Sequence, residues 1–295
     1  MPDSEPVLRP EPEDGDVYVS PRHLAGSTAI GDPGLQPLLD LGWELRHDDL
    51  GNAYVSSPDH KVRLGYLPEG DDDGLWRITA YTDSFASPQW GVCFNDQAPT
   101  EFVTAFTTAL AASYTEGYDA HLRGQPGTAQ SPFDPLLQQD WEVRPFRRVD
   151  SLDLTSPDGM ARITYDRDDT GALDHEAELT TLNTRWLLRG GPELNWWYAT
   201  ASTHTPQHLV TAITTAVADP EPVLRWEGEL PRHVRACARV TPVAPPRAPV
   251  PTPLDVHRRH TDTRPDARRP VSVPRWSTTT HQAAAPSRSR PGPRR

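Results

Sequence analysis

Apolar positions along the chain change period in a fixed order, and that order comes round twice. From Leu35 to Leu41 they keep a short helical spacing, after which "WELRHD" and "NAYVSS" alternate apolar with polar on either side of the turn-like "DLGN". "KVRLGYL" and "LWRITAY" flank the acidic turn "PEGDDDG", and "QWGVCF" reads as a fifth strand. The period then becomes helical in "PTEFVTAFTTALA", Pro99 to Ala111. At about 100° per residue, Phe102, Val103, Ala105, Phe106, Ala109 and Leu110 share an arc of about 160°, opposite Thr104, Thr107, Thr108 and Ala111. The pattern therefore predicts an amphipathic helix with a threonine face toward water.

The second pass begins at "PLLQQDWEVR" (Pro135 to Arg144), which repeats "PLLDLGWELR" (Pro37 to Arg46). "TSPDGMARITY" (Thr155 to Tyr165) repeats "SSPDHKVRLGY" (Ser56 to Tyr66), and "PQHLVTAITTAVA" (Pro206 to Ala218) keeps eight of the thirteen positions of the first helix. Three blocks in one order, offset by 98, 99 and 107 residues, identify a tandem duplication. Strands are expected at "WEVRPF", "SLDLT", "ARITYD", "RWLLRG" and "NWWYATA"; an extra hairpin or a longer loop fits between Thr170 and Pro192. The closing helix of copy two carries six β-branched residues, so burial against a sheet must hold it. The expected fold is α+β: two tandem repeats, each an antiparallel sheet of about five strands with a C-terminal amphipathic helix on one face.

The expected organisation is a disordered acidic N-terminus (1–16), a first repeat with its lead-in (17–118), a linker (119–130) and a second, divergent repeat (131–220). A short extension (221–240) should pack on copy two through Leu224 and Trp226, and a Pro/Arg-rich tail (241–295) should be disordered. From Thr241 onward there are twelve Pro, eleven Arg and three Asp, a net charge of +8, which leaves −20 on the rest of a chain whose total is −12. Such an acidic body argues against nucleic acid, while the tail could bind phosphates weakly and nonspecifically. The two cysteines, Cys93 and Cys237, form no metal or disulfide pattern, and no signal-like or spanning apolar run exists, so a cytoplasmic home without a membrane partner is expected.

No catalytic constellation emerges. His204 and His208 have metal-like spacing, but His204 precedes the helix, so the two do not share a face. "DRDDTGALDHEAE" resembles a calcium loop until its twelfth position, where Ala177 replaces the required Glu. Nucleophile elbows and phosphate loops are absent, so no catalytic, metal or cofactor residue is assigned and no cofactor is expected. Tryptophans on strands are more suggestive, because a sheet covered by one helix leaves its second face open. Trp76 and Trp90 are candidates for that surface. A second candidate surface is the repeated threonine face, Thr104, Thr107, Thr108, Thr211, Thr214 and Thr215, whose small side chains would let the two helices approach across a pseudo-twofold axis.

"VYVSPRHLAG", "GDP", "PLLDLGW", "NAYVSSPD", "RLGYLPE", "LWRITA" and "PTEFVTAFTTALA" together resemble the actinobacterial family called domain of unknown function 317, whose members commonly carry the domain in tandem. The resemblance spans roughly residues 17 to 220 and is weaker in copy two, where "ITYDRDD" replaces "LGYLPEG". It implies boundaries and a duplication but no activity. The sequence thus favours a non-enzymatic interaction module with a protein partner. The alternatives are a ligand or enzymatic pocket between the copies, built from Trp, Arg63, Tyr66 and Glu69, and an acidic decoy of a DNA-binding protein.

Overall fold

The computed structural model describes residues 15–70, 74–117, 119–123, 130–144, 151–166, 175–181, 184–192 and 196–243, with 175 and 176 described by backbone alone. The acidic start before Gly15, half of the linker and the tail from residue 244 lie outside the described residues, as does most of "DRDDTGALD". After a lead-in strand β1 (Asp16–Ser20), copy one contributes α1 (Asp32–Leu39), β2 (Glu44–His47), β3 (Ala53–Ser56), β4 (Val62–Tyr66), β5 (Trp76–Tyr81), β6 (Pro88–Phe94) and α2 (Thr100–Glu116). A short α3 (Ala120–Arg123) follows. Copy two contributes α4 (Asp134–Leu137), β7 (Glu142–Arg144), β8 (Ser151–Thr155), β9 (Ala161–Asp166), a one-turn α5 (His175–Glu178), β10 (Trp186–Gly190), β11 (Trp197–Ala201) and α6 (Gln207–Ala218). The chain then adds β12 (Val223–Trp226), α7 (Arg232–Cys237) and β13 (Arg239–Pro242).

Each copy is a five-stranded antiparallel meander, as the alternation predicts, and the two meanders fuse edge to edge. Among the described residues they form one ten-stranded sheet in the order β2-β3-β4-β5-β6-β11-β10-β9-β8-β7. At the join Val92 faces Ala201, Cys93 faces Thr200 and Phe94 faces Ala199. The helix repeat is offset by 107 residues, and the same offset relates Cys93 to Thr200 and exchanges the two flanking pairs. A pseudo-twofold axis therefore passes through the Cys93–Thr200 pair. Its two sides are pinned alike. Asn95 donates its backbone N–H to the Tyr198 carbonyl while its Oδ1 accepts the Tyr198 N–H at 2.9 Å. Its equivalent Ser202 donates to the Gly91 carbonyl and accepts the Gly91 N–H on Oγ at 2.9 Å.

One face of the sheet carries the apolar half of the alternation, and the helices cover it in the order α1-α2-α6-α4. Val55, Leu64, Ile78, Val92 and Phe94 meet Phe102, Phe106 and Leu110 there; Leu154, Ile163, Leu188, Ala199 and Ala201 meet Leu209, Ile213 and Val217. Each of these large side chains contributes roughly 1.5–3 kcal/mol on leaving water. A Cβ on Gly34 would stand 2.8 Å from Trp76 and 3.1 Å from Val103, so glycine is what lets α1 lie against both.

The threonine face differs from expectation. Thr107 and Thr214 are fully buried and Thr211 nearly so, Thr104 is half-buried, and only Thr108 and Thr215 are exposed. Val103 touches Gly34 and the Tyr114 ring stands edge-on to Trp43 at 5.1 Å, so the Val103–Thr107–Tyr114 flank of α2 faces α1 and its neighbour. Likewise, Thr211 donates to the Gln130 carbonyl ahead of α4 at 3.2 Å. α6 packs along the other flank of α2, the side of Ala105 and Ala109, with His208 Nε2 3.0 Å from Ser113 Oγ. The helices do pack together across the axis, but alanines rather than threonines line that seam.

Outside the large sheet, β1 pairs with both β12 and β13, so the lead-in and the extension make a small three-stranded sheet. The inward residues of β12 are Val223 and Arg225, whereas Leu224 is half-buried and Trp226 is 47% exposed, the reverse of the expected packing. Arg225 decides the register: its guanidinium forms a bidentate pair with Glu101 at the start of α2, at 2.6 and 2.7 Å, and also donates to the Gly26 carbonyl.

Candidate functional site

The polar half of the alternation lies on the face without helices, and strand register gives its layout. One row runs Tyr54, Gly65, Arg77, Cys93, Thr200, Leu187, Thr164, Asp153 from β3 to β8 and through the pseudo-axis. On one side of it lies the row Ser56, Arg63, Thr79, Gly91; on the other lies its counterpart Thr155, Arg162, Arg189, Tyr198. Arg63 and Arg162 are equivalents, but Thr79 is replaced by Arg189 and Gly91 by Tyr198.

Those exchanges give the two halves different surfaces. On copy one, a short strap from copy two, Glu178 and Leu179 at the end of α5, seats Leu179 on Gly91, where a Cβ would stand 2.8 Å from Leu179 Cδ2. Thr200 donates to the Leu179 carbonyl at 2.9 Å, and Thr203 donates its N–H and hydroxyl to the Glu178 carboxylate. Cys93, opposite Thr200 in the same row, is buried. Beyond this strap copy one stays open. Arg63 lies over the Tyr81 ring, 4.7 Å from its centroid, and donates to the Ser84 carbonyl at 3.0 Å. Next to Ser84, at the tip of the β5–β6 connection, Phe85 is 98% exposed, and Tyr54 is 40% exposed on the same sheet face.

In copy two, Arg162, Arg189 and Trp196 border a cleft of about 400 Å³ whose backbone wall includes Gly159, Gly190 and Gly191. Arg189 sits 5.9 Å from the Trp196 ring centroid, and Arg162 Nη1 is 3.9 Å from the Asp153 carboxylate. Trp196 stacks at an angle on Tyr198, 5.7 Å between centroids.

A second cleft of about 400 Å³ lies between the copies and the small sheet, bordered by His23, Tyr66, Asp96, Trp197, Glu229 and His233. Burial and then the Asp32 charge push the Tyr66 phenol up, so it stays a neutral donor at neutral pH. His23 is turned toward Asp158 at 2.8 Å. Burial works against the Asp158 charge, but bonds from His23, Ser156 and the Met160 N–H outweigh it and hold this carboxyl well below the usual range. Ser156 donates to Asp158 and not to His23, so the three make a structural relay without a nucleophile facing a base. No three His, Cys, Asp or Glu side chains come together as metal ligands among the described residues.

Several sequence expectations are corrected here. Trp76 and Trp90 are core residues at 2% and 0% exposure, packed under the helices, and cannot form a recognition surface. The Trp90 indole instead donates to the His121 carbonyl at 3.1 Å, as its equivalent Trp197 donates to the His23 carbonyl at 2.7 Å. Arg63, Tyr66 and Glu69 do not converge: Tyr66 points to the helix side against Trp76, Arg63 to the opposite face, and Glu69 is exposed on the turn after β4. Alternation already separates Arg63 from Tyr66, which are three residues apart on one strand. Phe85, Arg162 and Arg189 are not among the residues that the sequence marks as a site, whereas Trp196 is one of the strand tryptophans it offers. The signal available for the two arginines was their place opposite Ile163 and Leu188 in the strand alternation.

Residues 56–115 and 155–223 each match the family model described as SPDY, domain of unknown function (DUF317). One family model thus matches a segment of each copy. The two matched segments begin at the last residues of β3 and β8 and extend into α2 and past α6, so the pseudo-axis relates one segment to the other. No curated protein and no solved structure matches the chain. No helix among the described residues is long and apolar enough to cross a membrane.

Proposed function

We propose that the chain is a non-enzymatic protein-interaction module of the cytoplasm, and that its docking surface is the helix-free face of copy one around Phe85, Arg63, Tyr81 and Tyr54. One observation carries this reading: Phe85 stands 98% exposed beside an arginine already stacked on a tyrosine. A phenylalanine in water gives up roughly 1.5–3 kcal/mol that a partner's pocket would recover. Tyrosine, arginine and phenylalanine are also the side chains enriched at the centres of protein interfaces. The Ser84 carbonyl and the Tyr81 ring hold Arg63 in place, so little side-chain entropy is lost when it is covered. The partner is a folded protein offering an apolar pocket for Phe85 and an acceptor for Arg63.

A photo-crosslinking amino acid at position 85, in the full chain expressed in its native cells, tests this. One dominant adduct is expected, lost when Arg63→Ala and Tyr81→Ala are combined in the same chain. Recovery of no reproducible adduct, or of an adduct that survives the double change, overturns the reading.

A further inference from the structure

The geometry points to a second, independent site: the copy-two cleft binds a small oxyanion, phosphate or carboxylate, carried on a flat ring. Arg162 and Arg189 face each other directly on β9 and β10. Like charges in that register repel, and strands seldom place them so without a counter-charge. The pair is only partly answered within the chain. Asp153 lies 3.9 Å from Arg162, beyond hydrogen-bond distance, and its other oxygen accepts the Thr164 hydroxyl at 2.5 Å. Arg189 has, among the described residues, only the Trp196 ring for company.

Copy one shows that this arrangement is not a requirement of the fold. There Arg63 is occupied by the Ser84 carbonyl and the Tyr81 ring, and Thr79 stands where the second arginine would be. Among the described residues, copy two has a second guanidinium fork and a hollow at the same place. Two such forks suit the planar or tetrahedral oxygens of an oxyanion and bind them bidentately.

The hollow also has room for more than the anion. About 400 Å³ falls within the usual range for small-molecule sites, and a lone phosphate would fill a fraction of it. The rest lies beside Trp196, whose backbone is fixed from copy one: Asn95 Nδ2 donates to the Trp196 carbonyl at 3.1 Å. Its indole is packed at an angle against Tyr198, 5.7 Å between centroids, and its ring face suits a flat ring. On a body this acidic, an anion would otherwise be repelled, so the cleft is where one can be held.

Calorimetric titration of the full chain with phenyl phosphate, benzoate and inorganic phosphate tests the assignment. Saturable 1:1 binding of at least one ring-bearing anion is expected, tighter than inorganic phosphate. Phenyl phosphate as the better ligand marks a phosphate site, benzoate a carboxylate site. Arg189→Met should weaken binding by about tenfold or more, Arg189→Lys by less, since the charge remains but the fork is lost. Trp196→Ala should remove the advantage of the ring, and Arg63→Met should leave anion binding as it is in the parent chain. Absence of saturable binding overturns the proposal, as does an affinity indifferent to Arg189→Met in a variant whose thermal midpoint matches the parent, or an equal loss in Arg63→Met. None of these outcomes bears on the Phe85 surface.

Discussion

Thr107 and Thr108 follow one another on α2, yet one is sealed from water and the other is solvated. Both hydroxyls bond back within the helix, Thr107 to the Val103 carbonyl at 3.1 Å and Thr108 to the Thr104 carbonyl at 2.7 Å. Thr214 does the same to the Thr211 carbonyl at 3.0 Å. A threonine that satisfies its own hydroxyl shows its neighbours a methyl group, and so it can be buried at no hydrogen-bond cost. Burial of this kind suits Thr107 and Thr214, whereas nothing in the structure explains why the exposed Thr108 and Thr215 also match. Thr107→Arg and Thr214→Arg would each force a charge between packed helices and should cost about 3 kcal/mol or more, while Thr108→Arg and Thr215→Arg should stay within about 0.5 kcal/mol. Urea unfolding of the four variants separates them, and equal costs at 107 and 108 would contradict the packing described.

At the scale of elements, β12 is held to α2 by Arg225 and Glu101. Burial disfavours the Glu101 carboxylate, but the hydrogen bonds and charge of Arg225 outweigh it and lower its pKa from the ordinary 4.5. A carboxyl with a depressed folded pKa stabilises fully above its unfolded value and loses that contribution as pH falls through the folded one. The parent chain should therefore lose stability steadily below about pH 4.5, whereas Glu101→Gln should be less stable at neutral pH and show a shallower acid limb. Chemical unfolding at pH 3, 4, 5 and 7 measures the slope.

The same pair shows where reading a sequence reaches its limit. Meander strands and closing helices were legible because alternation and 3.6-residue spacing each come from one element packing on one layer. The register of "VLRW" was not, since period two allows either Val223 and Arg225 or Leu224 and Trp226 inside. The choice fell to an ion pair 124 residues away in sequence. The threonine face misled for a related reason. A helix between a sheet and two neighbouring helices has three buried sides, and a single apolar arc accounts for one. Of the candidate site, Arg63 was legible on an exposed strand position, while the copy-two cleft depends on which strands lie side by side.

For the whole molecule, the seam matters most. β6 and β11 are central strands only because each copy supplies the other's neighbour. Produced separately, residues 15–123 and 130–243 would each expose a bare strand edge and the alanine flank of a helix. Each half alone should self-associate or precipitate, and the two mixed should give a 1:1 complex by light scattering with native-like amide protection at β6 and β11. Monomeric, well-folded halves would show that the seam is dispensable.

The strap over Gly91 follows from that seam in another way. Leu179 sits on the strand next to the axis, and its carbonyl takes the hydroxyl of Thr200, which lies on the axis itself. In an assembly of two identical chains every crossing segment would have an image, and two images meeting at the axis would occupy the same space. A chain that carries both halves escapes that geometric veto, because it can keep one crossing and delete its mirror. Fusion of the copies therefore opened a region of sequence space closed to a symmetric dimer: one half could be roofed over while the other acquired a hollow, and each face could take up a separate task.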